Sequence, residues 1–237
     1  MLSIKPKNAA IYFSYFFVFS AFLLATVLGN RTVTAIAENQ PLRKQHVIVI
    51  DAGHGGIDGG ATSCSGVLES KLNLEIAHRL DSLMHLLGYN TRMIRTTDTS
   101  IHVQGNTIAS QKISDLKERV KIVNSQDGGI LVSIHQNTFS DSRYFGAQVF
   151  YSENKTSQEL AKCIQDVLIL GLNPNSNRQI KKADGIYLLE HIQKPGILIE
   201  CGFLSNPEEE RKLRSADYQK EICCVIGVTL SNYLANT

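Results

Sequence analysis

From residue 46 onward the apolar residues follow two alternating spacings. Short β-branched runs, Val47-Ile48-Val49-Ile50, Ile130-Leu131-Val132 and Ile197-Leu198-Ile199, are separated by stretches in which apolar residues recur every three or four positions. The first kind reads as buried strand, the second as helix with one apolar face. Leu72, Ile76, Leu80, Leu83 and Leu87 give the strongest helix pattern, stopped by Gly88. Further helices are predicted near residues 115–125, with Leu116, Val120 and Val123 on one face, over 157–170, ended by Gly171 and Pro174, and over 218–234. Strands are predicted at 47–51, 89–95, 130–135, 147–151, 185–189 and 197–200. Residues 96–114 carry little periodicity and read as a long loop of the functional kind. Strands alternating with helices predict an α/β fold, a single domain with a twisted, mostly parallel sheet of about six strands flanked by helices.

The first 45 residues break this pattern. Lys5 and Lys7 precede an uncharged stretch from Asn8 to Asn30 that contains Ile11-Tyr12-Phe13 and Phe22-Leu23-Leu24. The apolar region of a secretory signal runs about 7–15 residues and a spanning helix needs about 20. Residues 1–30 therefore read as a membrane anchor or uncleaved signal. Ala35-Ile36-Ala37 keeps cleavage, and hence a secreted form, open. Lysines ahead of the segment place the domain after it outside the cytoplasmic membrane. Residues 31–45 are polar and irregular and read as a tether, leaving 46–237 as the folded domain.

Composition narrows the function classes. With 43% hydrophobic residues in 237, there is enough apolar material for one core. A net charge of +2, with no basic stripe, argues against a nucleic-acid partner. The five cysteines are odd in number and lack C-x-x-C spacing, which argues against a disulfide framework and a cysteine zinc site. Cys223-Cys224, in an apolar run, reads as buried packing. Cys201 does too, because no base stands near it in sequence.

Three of the β-branched runs lead into polar chemistry. They are followed by Asp51-Ala52-Gly53-His54-Gly55-Gly56, by Ser133-Ile134-His135-Gln136-Asn137, and by Glu200-Cys201-Gly202-Phe203; Glu69 opens the long helix. Ligands of open α/β sheets bind outside the carboxyl ends of strands, so these distant residues could converge. Two His and one Glu around an open position describe a catalytic zinc, and a second Glu beside it is the expected proton acceptor. Each residue also has a simpler reading. His54 could cap a glycine turn, Glu69 could complement a helix dipole, and His135 could be a satisfied core histidine. Glu200 is harder to dismiss, since a carboxylate between Ile199 and Cys201 is costly to bury without a metal, proton or basic partner. Asp51 is expected to orient a ligand imidazole from behind. His102, in the long loop, could approach the site. Glu75, His78 and His85 fall on the polar side of the long helix, and His46 and His191 have no such context.

Taken together, Asp51-Ala-Gly-His-Gly-Gly56, Glu69, Arg95-Thr-Thr-Asp98, Leu116-x-x-Arg119-x-x-x-x-Asn124, Ser133-Ile-His-Gln-Asn137 and Ile199-Glu-Cys-Gly-Phe-Leu-Ser-Asn206 resemble the zinc N-acetylmuramoyl-L-alanine amidases of bacterial cell walls. The match runs in order through nearly all of residues 46–234. Within that family, Asp184-Gly-Ile-Tyr-Leu188 and Lys194-Pro-Gly-Ile-Leu-Ile-Glu200 resemble the short, germination-specific spore-cortex branch. Ala52 stands where the family often has Pro, and Cys201 where it often has an aliphatic residue or Thr. The resemblance implies that 46–237 is a catalytic domain with one Zn2+ on His54, Glu69 and His135, and with Glu200 as catalytic base. Its implied substrate is peptidoglycan, cut at the amide between N-acetylmuramic acid and L-alanine, in spore cortex modification that precedes muramic lactam formation. Substrate-contacting residues stay unassigned. A zinc peptidase acting within the stem peptide would use the same residues, and a non-catalytic wall-binding protein is the other alternative. The chain shows no appended wall-binding repeats, so targeting falls to the N-terminal membrane segment or to a protein partner.

Overall fold

The alternation read along the strands becomes the two faces of one sheet. The computed structural model describes residues 46–236, so the expected anchor and tether lie outside the described residues. Strands β1 (Val47–Ala52), β2 (Asn90–Met93), β3 (Gly129–Asn137), β4 (Gln148–Tyr151), β5 (Lys181–Lys182) and β6 (Gly196–Phe203) stand in the order β2-β1-β3-β6-β4-β5. Every pairing is parallel except β4 with β6. Helices α1 (Glu69–Leu86), α2 (Ile108–Asn124), α3 (Lys155–Leu172), α4 (Tyr187–His191), α5 (Pro207–Leu213) and α6 (Ala216–Ala235) complete a single α/β domain.

Ile48, Ile50, Ile134, Ile197 and Ile199 face one way and bury Leu80 of α1, Ile164 of α3 and Ile226 of α6. Their neighbours Val49, Leu131 and Leu198 face the other way, with Val123 of α2 and Leu188 of α4. Because side chains alternate along a strand, Asp51, Ser133, His135 and Glu200 share the face of Val49, Leu131 and Leu198. Register completes the convergence: Asp51 lies beside Ser133, and His135 beside Glu200. Cys201 points the opposite way into the helix-covered core and is 2% exposed.

Four local expectations are corrected. Residues 185–189 form no strand. Gly185 turns the chain at φ 75°, its N–H donates to Glu190 Oε1 at 2.6 Å, and Tyr187–His191 winds as α4. Adjacent buried Leu188 and Leu189 suit either structure, so the apolar run alone could not decide. The unpatterned segment is also shorter than expected. α2 starts at Ile108 because Thr107 and Ser110 form a reciprocal capping box ahead of a first half that lacks an apolar stripe. β5 and α5 were not anticipated, although Asn206 as N-cap, Pro207 at the helix start and Glu208, Glu209 and Glu210 in the first turn are a legible start signal. Of the C-terminal cysteine pair only Cys223 is buried, since Cys224 faces solvent.

Candidate metal centre

The turn after β1 is held by two buried arginines. His54 sits at φ 60°, a conformation that few non-glycine residues adopt. Arg119 of α2 donates to His54 O at 2.7 Å and to Ala52 O at 3.0 Å. Arg95 donates to Ala52 O at 2.8 Å, to Gly53 O at 3.0 Å and to Ser70 O at 2.8 Å. Three consecutive carbonyls of the turn are therefore fixed by guanidinium groups. Arg119 is in turn neutralised by Asp51 and Asp115. Burial alone would raise the Asp51 pKa, but Arg119, His135 and the Ser133 hydroxyl hold it below the usual value. This corrects the role expected of Asp51. Its hydrogen bonds go to Arg119 and to Ser133 Oγ (2.6 Å) rather than to an imidazole, so it reaches His54 only through Arg119 and the backbone.

The imidazole partner is Asp58, which the sequence motifs did not single out. His54 Nδ1 lies 2.8 Å from Asp58 Oδ2, and Lys112 holds the other Asp58 oxygen at 2.7 Å. The far nitrogen of His54, Nε2, is 3.2 Å from Glu69 Oε2, and His135 Nδ1 is 3.0 Å from Glu69 Oε1. The two rings meet edge to face with centroids 4.9 Å apart. Glu69, at the first turn of α1, is further fixed by the Ala61 N–H (2.9 Å), the Gln136 N–H (3.1 Å) and Asn73 Nδ2 (3.1 Å). One ligand atom from each of His54, Glu69 and His135 falls within 4.8 Å of the others.

Glycine makes this closeness possible. A Cβ on Gly53 would lie 2.2 Å from the His135 ring. One on Gly60, at φ 66°, would lie 2.5 Å from Glu69 Oε2.

The charges fit the same picture. Burial works against a charged His54, yet hydrogen bonds to Glu69 and Asp58 push its pKa up to about 9. Burial likewise works against ionised Glu69, but His135 and His54 hold it well below the carboxylate range. Glu200 is the exception. Burial pushes it up to about 7, with the His135 charge pulling the other way, and its Oε2 is shielded from solvent with no hydrogen-bond partner among the described residues. Two imidazoles and a carboxylate converging beside an unpartnered buried acid fit a zinc donor set with a proton acceptor next to it. The cluster opens on a cleft of about 350 Å³, walled by Ile57, Lys112, Leu116, Ile186, Tyr187 and Leu198. His102 does not enter it. Its Nδ1 meets Ser100 Oγ at 2.8 Å, and Ser100 is the loop residue that reaches the cleft. His78 and His85 are exposed, as expected.

This is the layout of a hydrolase of the α/β class, with candidate metal ligands and a buried acid gathered over one sheet face. Residues 48–230 match the sequence pattern of the N-acetylmuramoyl-L-alanine amidases, and the chain belongs to that family. It is 38% identical over 189 residues to the germination-specific N-acetylmuramoyl-L-alanine amidase of Bacillus subtilis, covering 79% of each chain. Among solved structures it resembles the CwlD amidase of Clostridioides difficile in complex with the GerS lipoprotein, at TM-score 0.77 and 38% identity, over 81% of this chain and 100% of that one. It also resembles an N-acetylmuramoyl-L-alanine amidase of Clostridium difficile 630, at TM-score 0.69 and 30% identity, over 81% of this chain and 97% of that one. The protein is a peptidoglycan amidase of the hydrolase class.

Proposed function

We propose that the chain is a zinc-dependent N-acetylmuramoyl-L-alanine amidase of the spore cortex, with His54, Glu69 and His135 as metal ligands and Glu200 as general base. The observation that carries this is the unpartnered Glu200 carboxylate beside the three-residue cluster. A zinc ion there would supply Lewis acidity, acidifying water and polarising the amide carbonyl. Glu200 takes a proton from the attacking water on Oε2 and delivers it to the leaving alanine nitrogen, as the carbonyl carbon gains the water oxygen and the C–N bond breaks. Proton transfer of this kind contributes about 10²–10⁴-fold. Glu69 stays ionised and would offer its carboxylate to the metal between the two imidazoles. Arg119 and Arg95 keep the turn that carries His54 from relaxing.

The similarity to a germination-specific relative supports the cortex role. The similar amidase solved with a lipoprotein supports a protein partner for this chain as well. The two lysines ahead of the uncharged stretch from Asn8 to Asn30 support an anchor in residues 1–30 that holds the domain outside the cytoplasmic membrane. Digestion of muramoyl-peptides tests the reaction. Free muramic carboxyl with an intact peptide beginning at L-alanine is the expected product, whereas a shortened peptide would mean a stem-peptide peptidase. Spores lacking the gene should contain no muramic lactam.

A further inference from the structure

A second groove, of about 530 Å³, lies at the same end of the sheet, where β4 and β5 begin. Its floor is Arg178. That guanidinium lies on the Phe203 ring, 4.5 Å from its centroid, with Nε donating to Phe145 O at 2.8 Å and Nη1 to Gln148 Oε1 at 2.9 Å. Among the described residues Nη2 has no hydrogen-bond partner and Arg178 forms no ion pair. Glu209, an acid near it, is committed to the backbone N–H groups of Gly146 (2.9 Å) and Phe203 (2.8 Å). Exposed Lys181 lines the same groove and also lacks an ion pair among the described residues, while Asp141 on the rim is taken by Arg143. A half-buried, rigidly held cation with a free fork nitrogen is suited to a carboxylate brought from outside.

This groove and the candidate metal centre are linked by one strand pair, since Gln148 lines the groove and Glu200 lines the cleft. Gln148 of β4 stands directly opposite Glu200 of β6, so the two side chains share a face. The Gln148 amide then touches Arg178. Two strand spacings of about 4.8 Å separate β6 from β5, placing Lys181 roughly 10 Å from the strand that carries Glu200, while the Arg178 guanidinium reaches back to Phe203 at the end of that strand. An extended peptide covers that distance in about three residues.

We propose that this groove is the subsite for the peptide released by the reaction, where Arg178 and Lys181 bind a carboxylate two or three residues beyond the cleaved bond. The proposal rests on the amidase reading and names which acidic peptides the same site accepts. It is tested with matched muramoyl-peptides whose second- or third-residue carboxylate is either free or amidated. For the natural protein, kcat/KM should favour the free acid by about 10- to 100-fold, mostly through KM. Arg178→Gln should erase most of this preference, and Lys181→Ala, a surface change that leaves the fold alone, should reduce it. Equal use of both peptides by the natural protein, or an undiminished preference in both variants, would overturn the subsite. Calorimetry with the free L-alanyl peptides, acid and amide, gives a readout independent of turnover. If no muramoyl-peptide is cleaved but the acid peptide still binds more tightly through Arg178, the reaction has been misread and the subsite stands. Loss of a protein partner in the variants, with the peptide preference intact, would assign the groove to that partner instead.

Discussion

At the residue scale the site turns on His54, whose two nitrogens face two acids. In the metal-free protein Glu69 and Asp58 hold its proton up to a pKa of about 9, above the ordinary 6.5. A metal needs the neutral imidazole, so between those values binding must expel a proton. Zinc affinity should therefore rise about tenfold per pH unit up to about pH 9 and then level off. Glu69, ionised throughout, adds nothing to this slope. Asp58→Asn should move the plateau to lower pH, and competition titration with a chelator across pH measures both. A flat profile from pH 6.5 to 9 would contradict the arrangement. The ligand candidates were legible because each sits in a short polar motif next to an apolar run, so chain position and residue type agreed. The Asp58 role was not. It depends on His54 taking φ 60°, which folds the ring back onto a residue four places on. Asp51 misled for the matching reason, because a buried carboxylate beside a ligand turn can serve the backbone as readily as a ring.

At the element scale, the ends of β1 and β3 approach so closely that Gly53 has no room for a side chain. Gly53→Ala would put Cβ 2.2 Å from the His135 ring, so the ring or the strand must shift. We expect metal affinity to fall about tenfold or more while secondary structure survives, because misplacement of supporting residues costs at least that much in affinity. Circular dichroism with metal titration checks it, and unchanged affinity would show that His135 sits elsewhere. Strands β1, β3 and β6 were readable as continuous apolar runs buried on both faces. The start of α2 was not readable by periodicity, since a cap and not an apolar face defines it. α4 escaped because five residues are too few to display a helical repeat.

At the scale of the whole molecule, buried charge joins distant parts. Arg119 ties α2 to the end of β1 through Asp51 and to the turn through two carbonyls. Its pair 119/51 is nearly solvent-free, with side chains 3% and 1% exposed. Arg119→Met would strand Asp51 without a counter-charge, and loss of one partner of a buried pair costs about 3–5 kcal/mol. Urea unfolding should register a loss of that size. A loss below about 1 kcal/mol would mean the pair is replaceable by packing. No local pattern announces such a connection, nor the antiparallel entry of β4 beside β6, because strand order depends on pairings between residues far apart in the chain. That antiparallel step sets Gln148 against Glu200 and extends the polar track past the candidate metal centre.

The central claim is that His54, Glu69 and His135 hold a metal while Glu200 moves the proton. Glu200→Gln keeps the shape and removes the proton acceptor. Zinc content and turnover of a muramoyl-peptide, measured on the same sample, separate the two jobs. We expect zinc at the natural stoichiometry and turnover reduced by about 10²-fold or more. Near-normal turnover, or zinc lost along with activity, would contradict the assignment of Glu200 as the base.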